Sequence, residues 1–175
     1  MKLSSEVLHT EVDLAERVRT LGREITRDYA GQELSVLGVL KGAFIFLADL
    51  TRHIRLPMEI GFVESVASRR SDSLTEITFS TSLRFTSSFR IEGMHLLLVE
   101  DILDTGVTLA YLCEQIQLYA PRSLRVCTLL DKPHRRKVDF SPDFVGFKVP
   151  DRHVVGYGLD YQGKYRNLPY LTYVE

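Results

Sequence analysis

The chain is poor in several things at once. Its 175 residues hold only two cysteines, Cys113 and Cys127. Two are too few for a disulfide framework, and their spacing makes no Cys-x-x-Cys metal pair. Both fall in apolar patterns, where free cysteine behaves as a small buried hydrophobe, and a reduced cytoplasmic setting is expected. An excess of charge of one sign is also missing: 22 Lys and Arg meet 23 Asp and Glu, for a net charge of −1. No broad basic field exists to hold nucleic acid. No apolar run nears the roughly 20 residues of a membrane span, and residues 1–6 carry no apolar signal core. There is no GxGxxG and no Walker A loop, which excludes a dinucleotide or ATP site of those two kinds. Without repeats, low-complexity segments or linkers, one domain over residues 1–175 is expected. A domain of roughly 150 residues buries about 68–70% of its unfolded surface, enough for a core without staples.

What is present alternates between strand and helix patterns. Thr10 suits the cap of a first helix, in which Leu14, Val18, Leu21 and Ile25 recur at helical spacing until Gly31 ends the segment. Residues 35–40 read as a short buried strand, broken by Lys41-Gly42. Residues 43–50 read as a buried helix, and residues 58–66 as a second strand. The polar stretch 68–73 lacks periodicity and reads as a mobile loop. Residues 76–83 alternate as a half-exposed strand would, and residues 94–101 form the continuous apolar run of a buried parallel strand. A helix from about Thr105 carries Leu109, Leu112, Cys113 and Ile116 on one face, and strands follow at 124–130 and 144–149. Such alternation implies right-handed βαβ units, a mostly parallel sheet, and a ligand site beyond the carboxyl ends of the strands. Lys41-Gly42, Glu100-Asp101 and Asp131-Lys132 all fall at such ends.

One segment is chemically distinctive: Val99-Glu100-Asp101-Ile102-Leu103-Asp104-Thr105-Gly106-Val107-Thr108. Three carboxylates and two threonine hydroxyls surround a glycine turn that opens a helix. Carboxylates suit sugar hydroxyls, metal ions and proton transfer, while N–H groups at a turn and helix start suit a phosphate. Helix-capping acids alone explain one carboxylate, not three. The segment points to a phosphorylated sugar.

This run resembles the phosphoribosyl-pyrophosphate (PRPP) motif of the type I phosphoribosyltransferases. Other segments are similar to the hypoxanthine-guanine phosphoribosyltransferases: Leu40-Lys41-Gly42-Ala43, Leu129-Leu130-Asp131-Lys132-Pro133, the stretch from Pro150 to Tyr161 that contains His153-Val154-Val155-Gly156-Tyr157, and Tyr165-Arg166-Asn167-Leu168-Pro169-Tyr170. The resemblance covers nearly the whole chain, in the family's order. It implies a mostly parallel twisted sheet flanked by helices, with a small hood from the chain ends. It implies transfer of phosphoribosyl from PRPP to hypoxanthine or guanine, giving IMP or GMP and pyrophosphate, by a cytoplasmic purine-salvage enzyme that forms a homodimer or homotetramer.

The implied roles are as follows. Residues Asp104, Thr105, Gly106, Val107 and Thr108 hold the 5′-phosphate, and Glu100 and Asp101 receive the ribose hydroxyls, directly or through metal-bound water. Asp104 exchanges a proton with purine N7. Lys132 donates to O6; a lysine is donor only, so it favours a keto oxygen over the amino group of adenine. His153, Val154 and Asp160 flank the base. Lys41, Gly42 and Arg166 meet pyrophosphate, with a cis peptide before Gly42. Mg²⁺ is held by Asp160, Glu100 and Asp101. For Lys132 and Lys41 the plain alternative is a solvated surface lysine, and for Asp160 with Arg166 a surface ion pair.

Two positions depart from the family. His153 stands where a larger aromatic usually stacks on the base, and Ala67-Ser68 where the mobile lid usually carries Ser-Tyr. A xanthine-preferring or broad 6-oxopurine enzyme shares the motifs, as does a PRPP-sensing regulator on the same fold. The basic run of residues 132–137 reads as a solvated loop or a subunit contact, being too short and too poor in aromatics for a nucleic-acid surface.

Overall fold

The structure is a computed structural model. It describes residues 2–73, 76–85 and 89–175, and the side chains of all these except 65–83. In chain order the elements are β1 (Leu3–His9), α1 (Glu11–Asp28), β2 (Leu34–Leu40), α2 (Phe44–His53), β3 (Met58–Ser73), β4 (Glu76–Phe85), β5 (His95–Leu103), α3 (Val107–Gln117), β6 (Ser123–Asp131), β7 (Phe144–Lys148), β8 (Val154–Val155) and β9 (Leu171–Val174). A 3₁₀ turn covers Pro133–Arg135.

Six strands form the main sheet in the order β4-β3-β2-β5-β6-β7. Every pairing is parallel except β3 with β4. The parallel strands read as unbroken apolar runs because both faces are covered. Leu97 and Val99 of β5 pack with α1 and α2 on one face, and Leu96 and Leu98 pack with α3 on the other. Full burial of each such side chain contributes roughly 1.5–3 kcal/mol.

Local signals fix the helices. Thr10 caps α1 as expected, and Asp13 completes a reciprocal box: Thr10 Oγ1 accepts from the Asp13 N–H at 3.2 Å, and Asp13 Oδ2 accepts from the Thr10 N–H at 2.9 Å. Leu14, Val18, Leu21 and Ile25 form its buried stripe. Among the described residues no helix is long and apolar enough to cross a membrane.

The hood is a three-stranded sheet in the order β1-β9-β8, so both chain ends meet in it. β1 carries no clear strand period. Its middle residues are exposed, and its extended state comes from antiparallel pairing with β9.

The loop expected at residues 68–73 is corrected. β3 continues through Ser73, paired with β4 from Val63↔Phe85 to Ser73↔Glu76. In a two-stranded ribbon the ladder satisfies backbone donors without needing an apolar face, so composition alone misleads. The lid positions Ala67 and Ser68 lie on this strand; their side chains fall outside the described residues.

Candidate active site

The site is assembled at the carboxyl ends of β2, β5 and β6. β5 delivers Glu100 and Asp101 near its end, and the chain then turns through Asp104-Thr105-Gly106 into α3. Gly106 has φ +83, a left-handed conformation that suits glycine, and it places the first turn of α3 without a side-chain cap. The N–H end of α3 therefore faces a small cavity of about 100 Å³, lined by Glu100, Asp104, Thr105, Gly106 and Thr108 among others. A water occupies about 30 Å³ of liquid, so the space suits a group of phosphate size. Anion binding at such a helix start needs only these N–H groups and the helix dipole.

Glu100 and Asp101 are adjacent and partly buried. Oε1 of Glu100 accepts from the Asp101 N–H at 3.1 Å, and Asp101 Oδ1 accepts from the Ile102 N–H at 2.7 Å. Burial, and next the Asp101 charge, push the Glu100 carboxyl well above its ordinary range. A hydroxyl donor or a cation in front of the pair relieves that repulsion.

Other strand ends converge on these carboxylates. Gly42 lies against Asp101, where a Cβ would overlap Asp101 Oδ2. Gly158, at φ +103, lies against the Gly42 carbonyl in turn. Arg166 donates to the Gly158 carbonyl at 2.5 Å and pairs with Asp160 Oδ1 at 2.6 Å. Asp160 Oδ2 accepts from the Gly163 N–H at 2.6 Å. His153 stands edge-on to Tyr161, with ring centroids 5.1 Å apart, and its Nε2 is 3.2 Å from the Asp160 carbonyl. Residues far apart in sequence thus form one continuous wall.

Lys132 begins the facing wall. It is only 7% exposed, and its N–H donates to the Leu103 carbonyl at 2.9 Å, next to Asp104. Its ammonium lies 4.0 Å from Asp151 Oδ1. Arg135 donates to Asp104 Oδ1 at 3.0 Å and to Asp151 Oδ2 at 3.3 Å. The Lys132 ammonium thus stands near the Asp151 carboxylate, which Arg135 links to Asp104.

The family model of the phosphoribosyl transferase domain matches residues 4–162. The chain belongs to the phosphoribosyltransferase family. This phosphoribosyltransferase is 42% identical over 173 residues to the hypoxanthine phosphoribosyltransferase of Salmonella typhimurium, covering 98% of this chain and 96% of that protein. It is 43% identical over 166 residues to the hypoxanthine-guanine phosphoribosyltransferase of Bacillus subtilis, covering 95% and 91%. Among solved structures, the hypoxanthine-guanine phosphoribosyltransferase of Bacillus anthracis is similar with a TM-score of 0.86 at 39% identity, covering 99% of this chain and 100% of that one.

Several expectations for the phosphoribosyltransferase change in detail. The cis peptide is Leu40–Lys41, one bond earlier than expected. The Lys41 side chain is exposed, whereas the Val154 side chain is packed in the core beside β9 rather than at the mouth. Among the described residues no three His, Cys, Asp or Glu side chains converge as a metal group, so Glu100, Asp101 and Asp160 are not gathered into one cluster.

The basic run is a solvated loop only in part: Pro133, His134, Arg135 and Lys137 are exposed, but the run is tied into the site. Lys132 is buried, Arg135 bridges Asp104 and Asp151, and Arg136 is enclosed by backbone carbonyls. Arg135, Arg136 and Asp151 are the site residues that sequence reasoning passed over. Their one signal was position, directly after a polar strand end on the ligand edge of a parallel sheet.

Proposed function

We propose that this protein transfers the phosphoribosyl group of PRPP to hypoxanthine or guanine, forming IMP or GMP and releasing pyrophosphate. The observation that carries this reading is the juxtaposition of buried Lys132 with Asp104 across the Leu103 carbonyl. Purine O6 and N7 share one edge of the ring. An ammonium donates to a keto O6 and cannot accept from an amino group. The Asp104 carboxylate accepts the N7 proton.

The 5′-phosphate sits in the cavity at residues 104–108, and the ribose hydroxyls donate to Glu100 and Asp101. As N7 loses its proton to Asp104, the N9 lone pair forms the bond to the anomeric carbon. The bond from that carbon to pyrophosphate oxygen breaks, and pyrophosphate leaves with the electron pair. Lys41, Gly42 and Arg166 face the departing charge, where fixed positive groups and dipoles stabilise it. Arg135 donates to Asp104 Oδ1 at 3.0 Å and so orients that carboxylate.

The donor set also fits Mg²⁺. It consists of hard carboxylate oxygens, with Glu100 and Asp101 side by side and the Glu100 carboxyl raised above its ordinary range by burial and next by the Asp101 charge. Mg²⁺ takes one or two carboxylates together with waters and substrate phosphates. Glu100, Asp101 or Asp160 would hold it, and when bound it neutralises diphosphate charge. The reading includes a homo-oligomer, dimer or tetramer, and a cytoplasmic setting, both carried by the family resemblance.

The test is product formation. Protein, PRPP, Mg²⁺ and hypoxanthine should give IMP and pyrophosphate in equal amounts; formation of neither overturns the reading.

A further inference from the structure

We infer that Arg136 is a positioning residue that sets the spacing between Asp104 and Lys132. The inference rests on the function proposed above. Arg136 lies between the ends of β5 and β6, and its side chain is only 16% exposed. Its donors reach several segments of chain. Nε donates to the Phe140 carbonyl at 3.1 Å. Nη1 donates to the carbonyls of Leu103 at 3.1 Å, of Asp104, and, at a longer 3.5 Å, of Lys132. Nη2 donates to the Asp131 carboxylate, itself buried. The backbones of the two residues that would read one purine edge therefore meet at a single nitrogen.

That junction matters because the sheet does not supply it. The last β5–β6 pair is Leu103↔Asp131. Beyond it, Lys132 is tied back through its N–H to the Leu103 carbonyl, while Asp104 has already entered the turn. Strand pairing thus fixes Leu103 but leaves the next residue free to swing. The Arg136 guanidinium captures the Asp104 carbonyl and anchors itself on Asp131. A planar fork holds its donors in fixed directions, which a lysine ammonium on a flexible stem does not. The phosphate turn has a tie of its own, from the Lys137 N–H to the Thr105 carbonyl at 2.9 Å. The aliphatic stem of Arg136 also packs beside Gly106 of that turn, a contact a lysine stem keeps, so the guanidinium bonds that Arg136→Lys removes act on the purine side of the site.

The experiment compares Arg136→Lys with the unsubstituted protein, measuring PRPP affinity by calorimetry and steady-state kinetics with hypoxanthine. Misplacement of a reacting group by about 1 Å can cost about a hundredfold. A loss of about that size in kcat/KM for hypoxanthine is expected, mostly in kcat, with PRPP affinity near its original value. Asp131→Asn, which weakens the anchor without removing the guanidinium, should shift the same parameters in the same direction by less. It carries the test if Arg136→Lys does not fold. A role in stability alone would lower the melting temperature while leaving this split absent. Equal losses in PRPP affinity and hypoxanthine kcat/KM, or unchanged kinetics in both variants, overturn the role of Arg136. Absence of hypoxanthine turnover in the unsubstituted protein instead overturns the proposed reaction, so the two failures are distinct.

Discussion

The backbone of Gly42 lies so close to Asp101 that a methyl group at position 42 would overlap Asp101 Oδ2. The loop after β2 and the carboxylate on β5 are therefore built against each other. Gly42 is required for space here, since its φ lies outside the left-handed range. In Gly42→Ala the Asp101 carboxylate must turn aside and give up its 2.7 Å bond from the Ile102 N–H. Stability should fall modestly, by about 1 kcal/mol. PRPP handling should suffer more, with kcat/KM for PRPP down by up to about a hundredfold, as expected for a displaced ligand group. A Gly42→Ala protein with full PRPP affinity would show that Asp101 does not meet the sugar.

Asp104 touches both walls of the site, through Arg135 and through the turn that opens α3. Replacement by Asn keeps the shape and removes the proton acceptor. Transfer should slow by about 10²–10⁴-fold, the usual contribution of a placed acid or base. PRPP binding, which depends on the N–H groups of the turn, should change little. Single-turnover rates set beside calorimetric PRPP affinity separate the two effects, and equal losses in both would remove Asp104 from proton transfer.

His9 couples the hood to the main sheet and brings a pH dependence with it. Its ring stacks on Phe147 with centroids 3.8 Å apart, and Nε2 is buried without a hydrogen-bond partner among the described residues. Burial lowers its pKa below the ordinary 6.5, with Asp13 opposing more weakly. Below pH 6.5 the unfolded chain then binds more protons than the folded one, so folding stability rises with pH through the window that ends near 6.5. The contribution is fully present above that value and is lost on acidification through the lowered folded pKa. His9→Phe keeps the stack and removes the titration. Denaturant midpoints measured at several pH values between 5 and 8 should show a flatter profile for the variant. An unchanged profile would remove His9 from the pH response.

Much of this site was legible because it falls on sheet ends that continuous apolar runs announce. Residues 96–99 declare a strand covered on both faces, so the acids that follow must lie at its carboxyl edge. Lys132 falls at such an end too, but its role comes from the resemblance of Leu129-Leu130-Asp131-Lys132-Pro133 to the family's motif. What escaped was set by partners distant in sequence. β1 is extended because β9 pairs with it, and β3 continues past residue 67 because β4 runs beside it. Arg135 and Arg136 look like a solvated run in one dimension, yet in three the carboxylates of Asp104 and Asp151 accept from Arg135, and the carbonyls of Leu103, Asp104 and Phe140 accept from Arg136. For Asp160 and Arg166 the plain alternative to the implied metal and pyrophosphate roles is an ion pair, and that pair is present at 2.6 Å, within the wall that also holds Gly158 and Gly42.

The most direct test of the account is a comparison of bases. Purified protein with PRPP and Mg²⁺ is given hypoxanthine, guanine, xanthine or adenine in turn, and kcat/KM is read from pyrophosphate release. Hypoxanthine and guanine should turn over, and adenine should be rejected because the Lys132 ammonium finds no acceptor at position 6. Preference for adenine, or no turnover with any base, would contradict the account.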